Sequence, residues 1–316
     1  MVSTVFIDGE VGTTGLQIRQ RLEGRNDVRL LSIAPERRKE TAARAELLNS
    51  ADAVILCLPD AAAKEAVSLI DNPKVKLIDA STAYRTAPDW AYGFAELDSA
   101  QRDKIAASTR VSNPGCYATG AIALLRPFVA AGVLPANWPI TINAVSGYTG
   151  GGKSMIAEFE DPNAANYTHE NFRIYALPLQ HKHVPEIQKH GQLDIRPIFA
   201  PSVGRYAQGM IVEIPLHLDL VPGRPTLKTL NETLSAHYAG ERFVTVADLV
   251  ESGAMTGLDP EGLNGTNRMK LFTFGTEGTG QARLVALLDN LGKGASGAAV
   301  QNLNLVLGLD EASGLN

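Results

Sequence analysis

Residues 2–15, VSTVFIDGEVGTTG, decide the fold of the first part of the chain. Their apolar run, Val2–Asp8, ends at a glycine, as the buried strands of parallel sheets often do. Glycines recur at Gly9, Gly12 and Gly15, and an amphipathic helix pattern, Leu16–Leu22, follows. Strand, glycine-rich turn and helix in this order predict a βαβ unit whose turn and helix N-terminus bind the phosphates of a dinucleotide. A turn that only packs helix against strand is the alternative, because the spacing is GxxGxxG rather than GxGxxG.

Further strand patterns follow, with room for crossover helices between them. The early ones cover Val28–Ile33, Ala51–Leu58, Val75–Ile78 and Arg110–Ser112. A helix over Tyr117–Ala131 then precedes a region in which strands outnumber helices. Its predicted strands are Ile140–Ser146, Ile195–Ala200, Met210–Leu218, Phe243–Val246, Lys270–Gly275 and Ala282–Leu288. Gly147–Lys153 is predicted to be a glycine-rich loop, and Gly294–Leu309 a final helix. The pattern predicts an α/β protein with a Rossmann-type parallel sheet and a second, α+β domain with a mixed sheet.

The size and charge of the chain exclude several classes of protein. Its 316 residues suggest two domains, at about 150 residues each. The net charge of −5 offers no basic surface to nucleic acid or to anionic membranes. Residues 1–9 lack the regions of a signal peptide, and the apolar stretch at 118–135 is interrupted and too short to span a bilayer. Two cysteines cannot staple a secreted scaffold, so we expect a cytoplasmic protein without nucleic-acid or membrane partners.

The end of the second predicted strand bears on which dinucleotide would bind. An NAD site commonly has an acidic residue there to hold the ribose 2′-hydroxyl. This chain has Ser32 instead, followed by the cations Arg37, Arg38 and Lys39. A hydroxyl and guanidinium groups suit the 2′-phosphate of NADP(H), so we predict NADP(H) over NAD(H). Glu36 opposes this prediction, and a solvated loop is the alternative for the cations.

Cys116 is the candidate nucleophile. It follows Pro114-Gly115, a pair typical of a tight turn, and it lies where the predicted helix begins. The positive end of a helix dipole favours the thiolate, which is the form that attacks carbon. Cys57, by contrast, lies within an apolar run and is expected to be an inert core residue.

Two of the six histidines fall in the cluster His181-x-His183-x-x-Glu186. A metal site is one interpretation, but two imidazoles and one carboxylate form an incomplete ligand set, so no metal is predicted. A purely structural role is a second interpretation. The favoured one is general acid–base chemistry, because an imidazole beside a thiol promotes the thiolate and can later donate a proton.

Residues 113–119, NPGCYAT, resemble the active-site segment of the N-acetyl-γ-glutamyl-phosphate reductases. Other segments similar to that family follow along the chain at 9–15, 77–81 with Arg85, 92–97, 145–153, 181–186 and 289–295. The chain is most similar to the shorter, type 2 branch. It departs from the commoner pattern at Gly150–Lys153, where that pattern ends in Arg-Lys, and at Gln180, where glycine is usual. Wider relatives are the aspartate-semialdehyde and glyceraldehyde-3-phosphate dehydrogenases.

The resemblance implies an NADP-binding Rossmann domain at residues 1–114 and 296–316, and a catalytic and oligomerisation domain at residues 115–295. It implies NADPH-dependent reductive dephosphorylation of N-acetyl-γ-glutamyl phosphate through a cysteine thioester, in arginine biosynthesis, by a homodimer or homotetramer. The small-molecule partners would be the acyl phosphate and inorganic phosphate. Two alternatives stay open: the same chemistry on aspartyl or carrier-bound aminoadipyl phosphate, and a non-catalytic nucleotide-binding regulator.

The expected site residues fall into three groups. On resemblance to the dehydrogenase relatives, His181 is the first choice as acid–base partner of Cys116, with His183 second and Glu186 orienting either ring. The expected cofactor contacts are Gly9, Gly12, Thr13, Thr14, Gly15, Ser32, Arg37, Arg38 and Pro59. The expected substrate contacts are Arg85, Asn113, Ser146, Gly147 and Lys153.

Overall fold

A computed structural model of the chain describes residues 2–38 and 40–316. The chain divides into two compact units. The first takes the chain up to residue 115 and again from residue 295 onward, and the second takes residues 116–294. Among the described residues, no helix combines the length and the apolar character needed to cross a bilayer.

The first unit is built on a six-stranded sheet in which every neighbouring pair is parallel. Its strands are β1 (Ser3–Asp8), β2 (Val28–Leu31), β3 (Ala53–Leu56), β4 (Lys76–Asp79), β5 (Ala91–Tyr92) and β6 (Arg110–Ser112). They lie in the order β2-β1-β3-β4-β6-β5. The helices of this unit are α1 (Thr13–Leu22), α2 (Thr41–Ser50), α3 (Asp60–Ser68), α4 (Gln101–Ala107) and α10 (Gly297–Leu307).

Helices cover both faces of this parallel sheet, and the strand sequences show it. All four residues of β3 are buried, because alternate side chains enter cores on opposite faces. Val5 and Ile55 pack on one face with Val300 of α10. Phe6 and Val54 enter the core of the other face, together with residues of α2 and α3. The last helix of the chain therefore completes the core of the first unit.

The second unit contains a seven-stranded mixed sheet in the order β11-β12-β13-β10-β7-β9-β8. Its strands are β7 (Thr141–Gly147), β8 (Phe172–Ile174), β9 (Ile198–Gly204), β10 (Met210–His217), β11 (Val244–Val246), β12 (Met269–Phe274) and β13 (Gln281–Leu288). Its helices are α5 (Cys116–Ala130), α6 (Gly152–Glu160), α7 (Val184–His190), α8 (Leu227–His237) and α9 (Leu249–Ala254). Helices α5 and α8 pack against the central strands.

The structure corrects several sequence predictions. The expected loop Gly147–Lys153 is instead a short 3₁₀ turn, Tyr148–Gly151, followed by α6, so Lys153 lies on a helix. The glycines concealed this helix because they are poor helix formers. The strand expected at Ile195–Ala200 begins only at Ile198 and continues to Gly204. The final helix is preceded by a π-helical turn, Gly292–Ser296, and α10 proper begins at Gly297.

Candidate active site

Cys116 is the first residue of α5, a helix of 15 residues. Its side chain is partly exposed, and the helix dipole favours its thiolate form. Gly294 lies directly against it: a Cβ on Gly294 would stand 2.8 Å from the Cβ of Cys116. Only glycine fits at position 294 without displacing the cysteine, so the segment after β13 sets the position of the thiol.

The rings of His181 and His183 lie beside Tyr117, the residue that follows Cys116. Each histidine ring centre is 5.9 Å from the Tyr117 ring centre, and the two histidine rings are 4.7 Å apart. The backbone N–H of His183 donates to Nδ1 of His181 at 3.1 Å. Since a backbone N–H can only donate, Nδ1 must be the unprotonated nitrogen, and the proton of the neutral His181 ring is on Nε2.

His183 and Glu186 lie at the start of α7, where His183 is the N-cap residue. The two side chains are 5% and 1% exposed, and their spacing of three residues sets them on one face of the helix. Pro185 occupies the first turn, where its missing N–H removes no helical hydrogen bond. The cluster predicted from sequence is therefore a half-buried His181 followed by a buried His183 and Glu186.

Tyr175 belongs to this group, and the sequence offered no signal for it. Its hydroxyl donates to the Tyr117 hydroxyl at 3.1 Å, and Tyr117 donates to the Ser202 carbonyl at 2.9 Å. Burial raises the pKa of Tyr175 to about 12, and the nearby charge of Cys116 adds to the increase. Burial likewise raises the pKa of Tyr117 well above its ordinary value. Both phenols therefore stay neutral and act as hydrogen-bond donors near the thiol.

The five expected substrate contacts fall into two groups. In the first unit, Asn113 is buried and donates to the Ala295 carbonyl at 3.0 Å, while its own oxygen accepts from Asn302 at 3.0 Å. Arg85, also buried, donates through Nε to the Asn113 carbonyl at 3.0 Å and through Nη2 to the Ala80 carbonyl at 3.1 Å. These polar groups join the segments around the end of the sheet.

The other three expected contacts belong to the second unit. Ser146 is buried near the end of β7, and its hydroxyl donates to the Gly147 carbonyl at 3.0 Å. Gly147 is the last residue of β7, and its N–H donates to the Gly209 carbonyl. Lys153 is exposed in the first turn of α6. Of the two side chains in this group, Ser146 is buried and only Lys153 is presented to solvent.

The glycine-rich turn of the first unit has the form of a phosphate cradle. Gly9 has a φ of 92°, and a Cβ there would lie 2.4 Å from the Cys57 carbonyl oxygen. Gly12 caps α1 without a side-chain hydrogen bond, and no acidic residue lies in the first turn. Thr13 Oγ1 is buried and has no hydrogen-bond partner among the described residues. Unsatisfied donors at a helix N-terminus suit a pyrophosphate. Thr14 and Gly15 continue the first turn of α1, and Pro59 is the extended N-cap residue of α3.

The cations predicted for the 2′-phosphate separate in the structure. Arg38 pairs with Glu10 of the glycine-rich turn, and Arg37 pairs with the exposed Glu40 at 3.0 Å. Lys39 lies outside the described residues. Ser32 is exposed, and its hydroxyl is 3.4 Å from Nη1 of Arg19, a residue of α1 that the sequence reasoning missed. Arg19 was missed because it lies 13 residues before Ser32 in the sequence, and α1 places it near the end of β2 only once the unit has folded.

The second cysteine has a different environment from the first. Burial raises the pKa of the Cys57 thiol to about 12, and the carboxylates of Asp79 and Asp8 contribute to the increase. Cys57 is therefore a neutral thiol at ordinary pH. Across residues 2–38 and 40–316, no group of three or more His, Cys, Asp and Glu side chains is arranged to hold a metal ion.

Two features define a two-domain nucleotide-binding dehydrogenase. The first is the parallel sheet with its glycine-rich turn, and the second is the other unit, which carries the cysteine and the histidines. Residues 4–106 match the family model described as semialdehyde dehydrogenase, NAD binding domain, and residues 116–290 match semialdehyde dehydrogenase, dimerisation domain. The chain belongs to the semialdehyde dehydrogenase family.

Relatives and solved structures agree with this assignment. The chain is 58% identical to the N-acetyl-gamma-glutamyl-phosphate reductase of Brucella ovis, over 98% of the chain and 100% of the relative. It is also 58% identical to that of Rhizobium etli, over 97% and 99%. The resemblance noted from the sequence is thereby confirmed.

Two solved structures share the fold at low sequence identity. Aspartate semialdehyde dehydrogenase II from Vibrio cholerae, complexed with ASA, has a TM-score of 0.72 and 15% identity, with 97% of this chain and 98% of that chain covered. Aspartate semialdehyde dehydrogenase with NADP from Candida albicans has a TM-score of 0.65 and 14% identity, over 97% and 99%. The predicted fold class is confirmed.

Proposed function

We propose that this chain reduces N-acetyl-γ-glutamyl phosphate to N-acetylglutamate semialdehyde and inorganic phosphate with NADPH, as a cytoplasmic step of arginine biosynthesis. The observation that carries the proposal is the 58% identity, over 98% of the chain, to a relative named for that substrate. The position of Cys116 at the start of α5 supports it, together with the next residue, Tyr117, whose ring centre lies 5.9 Å from each histidine ring centre.

Cys116 carries the covalent step. Its thiolate adds to the acyl carbon, the carbon–oxygen bond to phosphate breaks, and phosphate leaves with the bonding electrons to give a thioester. NADPH, when bound, supplies the hydride that reduces the thioester carbon. The resulting thiohemiacetal collapses, releases the aldehyde and returns the sulfur as thiolate. A thiol at a helix N-terminus suits both the attack and the final departure.

His181 stabilises the negative charge that develops on the substrate oxygen by donating a hydrogen bond to it. Its Nδ1 accepts from the His183 N–H, so its Nε2–H is the group that we assign to donate to the oxygen of the tetrahedral species. His183 and Glu186, both buried at the start of α7, hold the loop that carries His181. Tyr175 and Tyr117, with pKa values raised by burial, remain neutral donors near the sulfur.

We assign the substrate contacts according to which side chains are exposed to solvent. Lys153, exposed in the first turn of α6, is the cation assigned to an anionic group of the substrate. Arg85 and Asn113 are assigned a supporting role, because their polar groups already bind backbone carbonyls. Ser146 and Gly147 form the end of β7, from which the 3₁₀ turn and α6 continue.

NADPH is the proposed reductant in preference to NADH. Gly9, Gly12, Thr13, Thr14 and Gly15 would hold the pyrophosphate, with Pro59 beside them. Ser32 and Arg38 would contact the 2′-phosphate, since a hydroxyl and a guanidinium suit that group. Arg37 contributes less to this preference, because its Nε is paired with Glu40 at 3.0 Å. A higher kcat/KM with NADPH than with NADH is expected, and equal values would contradict the preference.

We further propose that the chain forms a homodimer or homotetramer. The second unit matches a dimerisation domain model, and its sheet carries a broad groove. Ile211, Phe274 and Val285 line this groove, whereas the neighbouring Val212 points the other way, toward Gly120 of α5. Light scattering on the purified protein should give two or four times the chain mass, and a stable monomer would contradict the proposal.

A panel of aldehydes tests the proposed activity in the reverse direction. N-acetylglutamate semialdehyde, aspartate semialdehyde and a carrier-bound aminoadipate semialdehyde would each be supplied with NADP⁺ and phosphate, and NADPH formation followed. We expect phosphate-dependent turnover with the first substrate and far less with the others. A preference for another aldehyde would change the assigned substrate. An absence of turnover with all three aldehydes would favour the alternative that the chain is a non-catalytic nucleotide-binding regulator. Cys116→Ser is the control for the covalent chemistry.

A further inference from the structure

A partly buried carboxylate connects two arginines beside the proposed cofactor site. The Glu10 side chain is only 11% exposed. One of its oxygens accepts from Arg19 Nη1 at 2.6 Å, and the other accepts from Arg38 Nη2 at 2.8 Å. Arg19 Nη1 also lies 3.4 Å from Ser32 Oγ, just beyond β2. We call Glu10, Arg19 and Arg38 the Glu10 cluster.

An acidic side chain in a turn that holds phosphates repels them unless it is neutralised. Asp8, the last residue of β1 and the neighbour of Gly9, also has a guanidinium partner, since its Oδ2 accepts from Arg44 Nη2 at 2.9 Å. Within the Glu10 cluster, two guanidiniums face one carboxylate, which leaves one positive charge in excess. The exposed Glu23 also contacts Arg19, through Nε at 3.0 Å, but solvent screens that pair.

We propose that Arg19 and Arg38, together with Ser32, bind the 2′-phosphate of NADPH, and that Glu10 is the positioning residue that holds the two guanidiniums together. This inference rests on the proposed preference for NADPH. Each guanidinium has five N–H donors, and about a third of each arginine side chain remains exposed. Two like charges would otherwise repel each other, and the shared carboxylate keeps both within reach of one phosphate group.

The test measures binding of two cofactor fragments without any turnover. Calorimetry would give the affinities of the protein for 2′,5′-ADP and for 5′-AMP, which differ only in the 2′-phosphate. We expect the wild type to favour 2′,5′-ADP, and Arg19→Ala to lose roughly tenfold to a hundredfold of that selectivity. Glu10→Gln should also lower the selectivity, while affinity for 5′-AMP is kept and shows that the variant is folded.

Glu23→Gln is the matched control, because it removes the other carboxylate that contacts Arg19, at an exposed residue just after the end of α1. It should leave the selectivity within about twofold of the wild type. Unchanged selectivity in Arg19→Ala, or increased selectivity in Glu10→Gln, would overturn the inference while leaving the NADPH preference intact. A wild type that binds both fragments equally would instead contradict the preference itself.

Discussion

The backbone N–H of His183 donates to Nδ1 of His181 at 3.1 Å, and this contact fixes which nitrogen of His181 carries the proton. The ring can then donate through Nε2 without giving up the bond to His183. A side chain that presents an N–H at the Nε2 position should therefore replace the imidazole in part, whereas one that reaches only the Nδ1 position should not.

His181→Asn should consequently lower kcat by about 10²- to 10⁴-fold, the usual contribution of a positioned acid or base. His181→Gln should keep more activity than His181→Asn, because its amide nitrogen reaches further along the ring axis. Steady-state kinetics of both variants checks the order. His169→Asn, at an exposed histidine of the loop before β8, is the control and should leave kcat unchanged. Equal losses in the two His181 variants would contradict donation through Nε2.

The two cysteines should differ sharply in reactivity. Because the pKa of Cys57 is raised to about 12, its thiolate fraction at pH 7.5 is on the order of a few in 100,000. Cys116 lies at a helix N-terminus and is partly exposed, so iodoacetamide should alkylate it first. Peptide mass spectrometry after a brief exposure should find the label on Cys116. Cys57→Ser should not change the labelling rate, and rapid labelling of Cys57 would contradict the assignment.

Gly294 should tolerate no side chain. In Gly294→Ala the new Cβ would lie 2.8 Å from the Cβ of Cys116, so one of the two residues must move. A shift of this size near reacting atoms can cost about 100-fold in kcat. Overpacking should also lower the free energy of unfolding by about 1–3 kcal/mol. Gly253→Ala is the matched control, since a Cβ there meets no atom within 4 Å. Wild-type kcat in Gly294→Ala would refute the steric argument.

The stability of the first unit should depend on pH through Asp52. The backbone N–H and the hydroxyl of Thr4 each donate to Asp52 Oδ2 at 2.7 Å, and these bonds lower the pKa of the carboxyl below its ordinary value. A lowered pKa in the folded state means stabilisation that is present above the unfolded value and lost as the pH falls through the folded one.

Asp52→Asn should therefore lower the free energy of unfolding by about 1 kcal/mol at pH 7. The effect is no larger because Asp52 is exposed and solvent screens its interactions. The difference from the wild type should shrink as the pH falls below about 4. Urea unfolding over that pH range measures it, with Asp71→Asn at another exposed carboxylate as the control. A difference that stays constant with pH would exclude the charged hydrogen bonds as its source.

The local pattern of apolar residues was sufficient to predict the fold class, because parallel strands that are buried on both faces are apolar throughout. Arg110–Ser112 is a strand with the predicted bounds, and β1 and β13 differ from their predicted bounds by one residue. The helix α6 was hidden by its preceding glycines. The start of α1 was placed too late because Thr13 and Thr14 are polar and carry no apolar periodicity.

The candidate site was less accessible to sequence reasoning than the fold. Segments around Cys116 and His181 were recognisable because each has a distinctive local sequence. Tyr175 and Arg19 were not, since each meets its partners only through tertiary packing: Tyr175 through the Tyr117 hydroxyl, and Arg19 through Glu10. Neither spacing nor composition encodes such contacts.

The central claim is that Cys116 forms a thioester, and a burst experiment without phosphate tests it most directly. N-acetylglutamate semialdehyde and NADP⁺ are mixed with the enzyme; the thiolate adds to the aldehyde, hydride passes to NADP⁺, and the acyl group has no phosphate to accept it. We predict one NADPH formed per active site in a rapid burst, together with an N-acetylglutamyl adduct on the Cys116 peptide. The Cys116→Ser variant should give neither. A burst without an adduct on Cys116, or a burst of normal size in Cys116→Ser, would contradict the account.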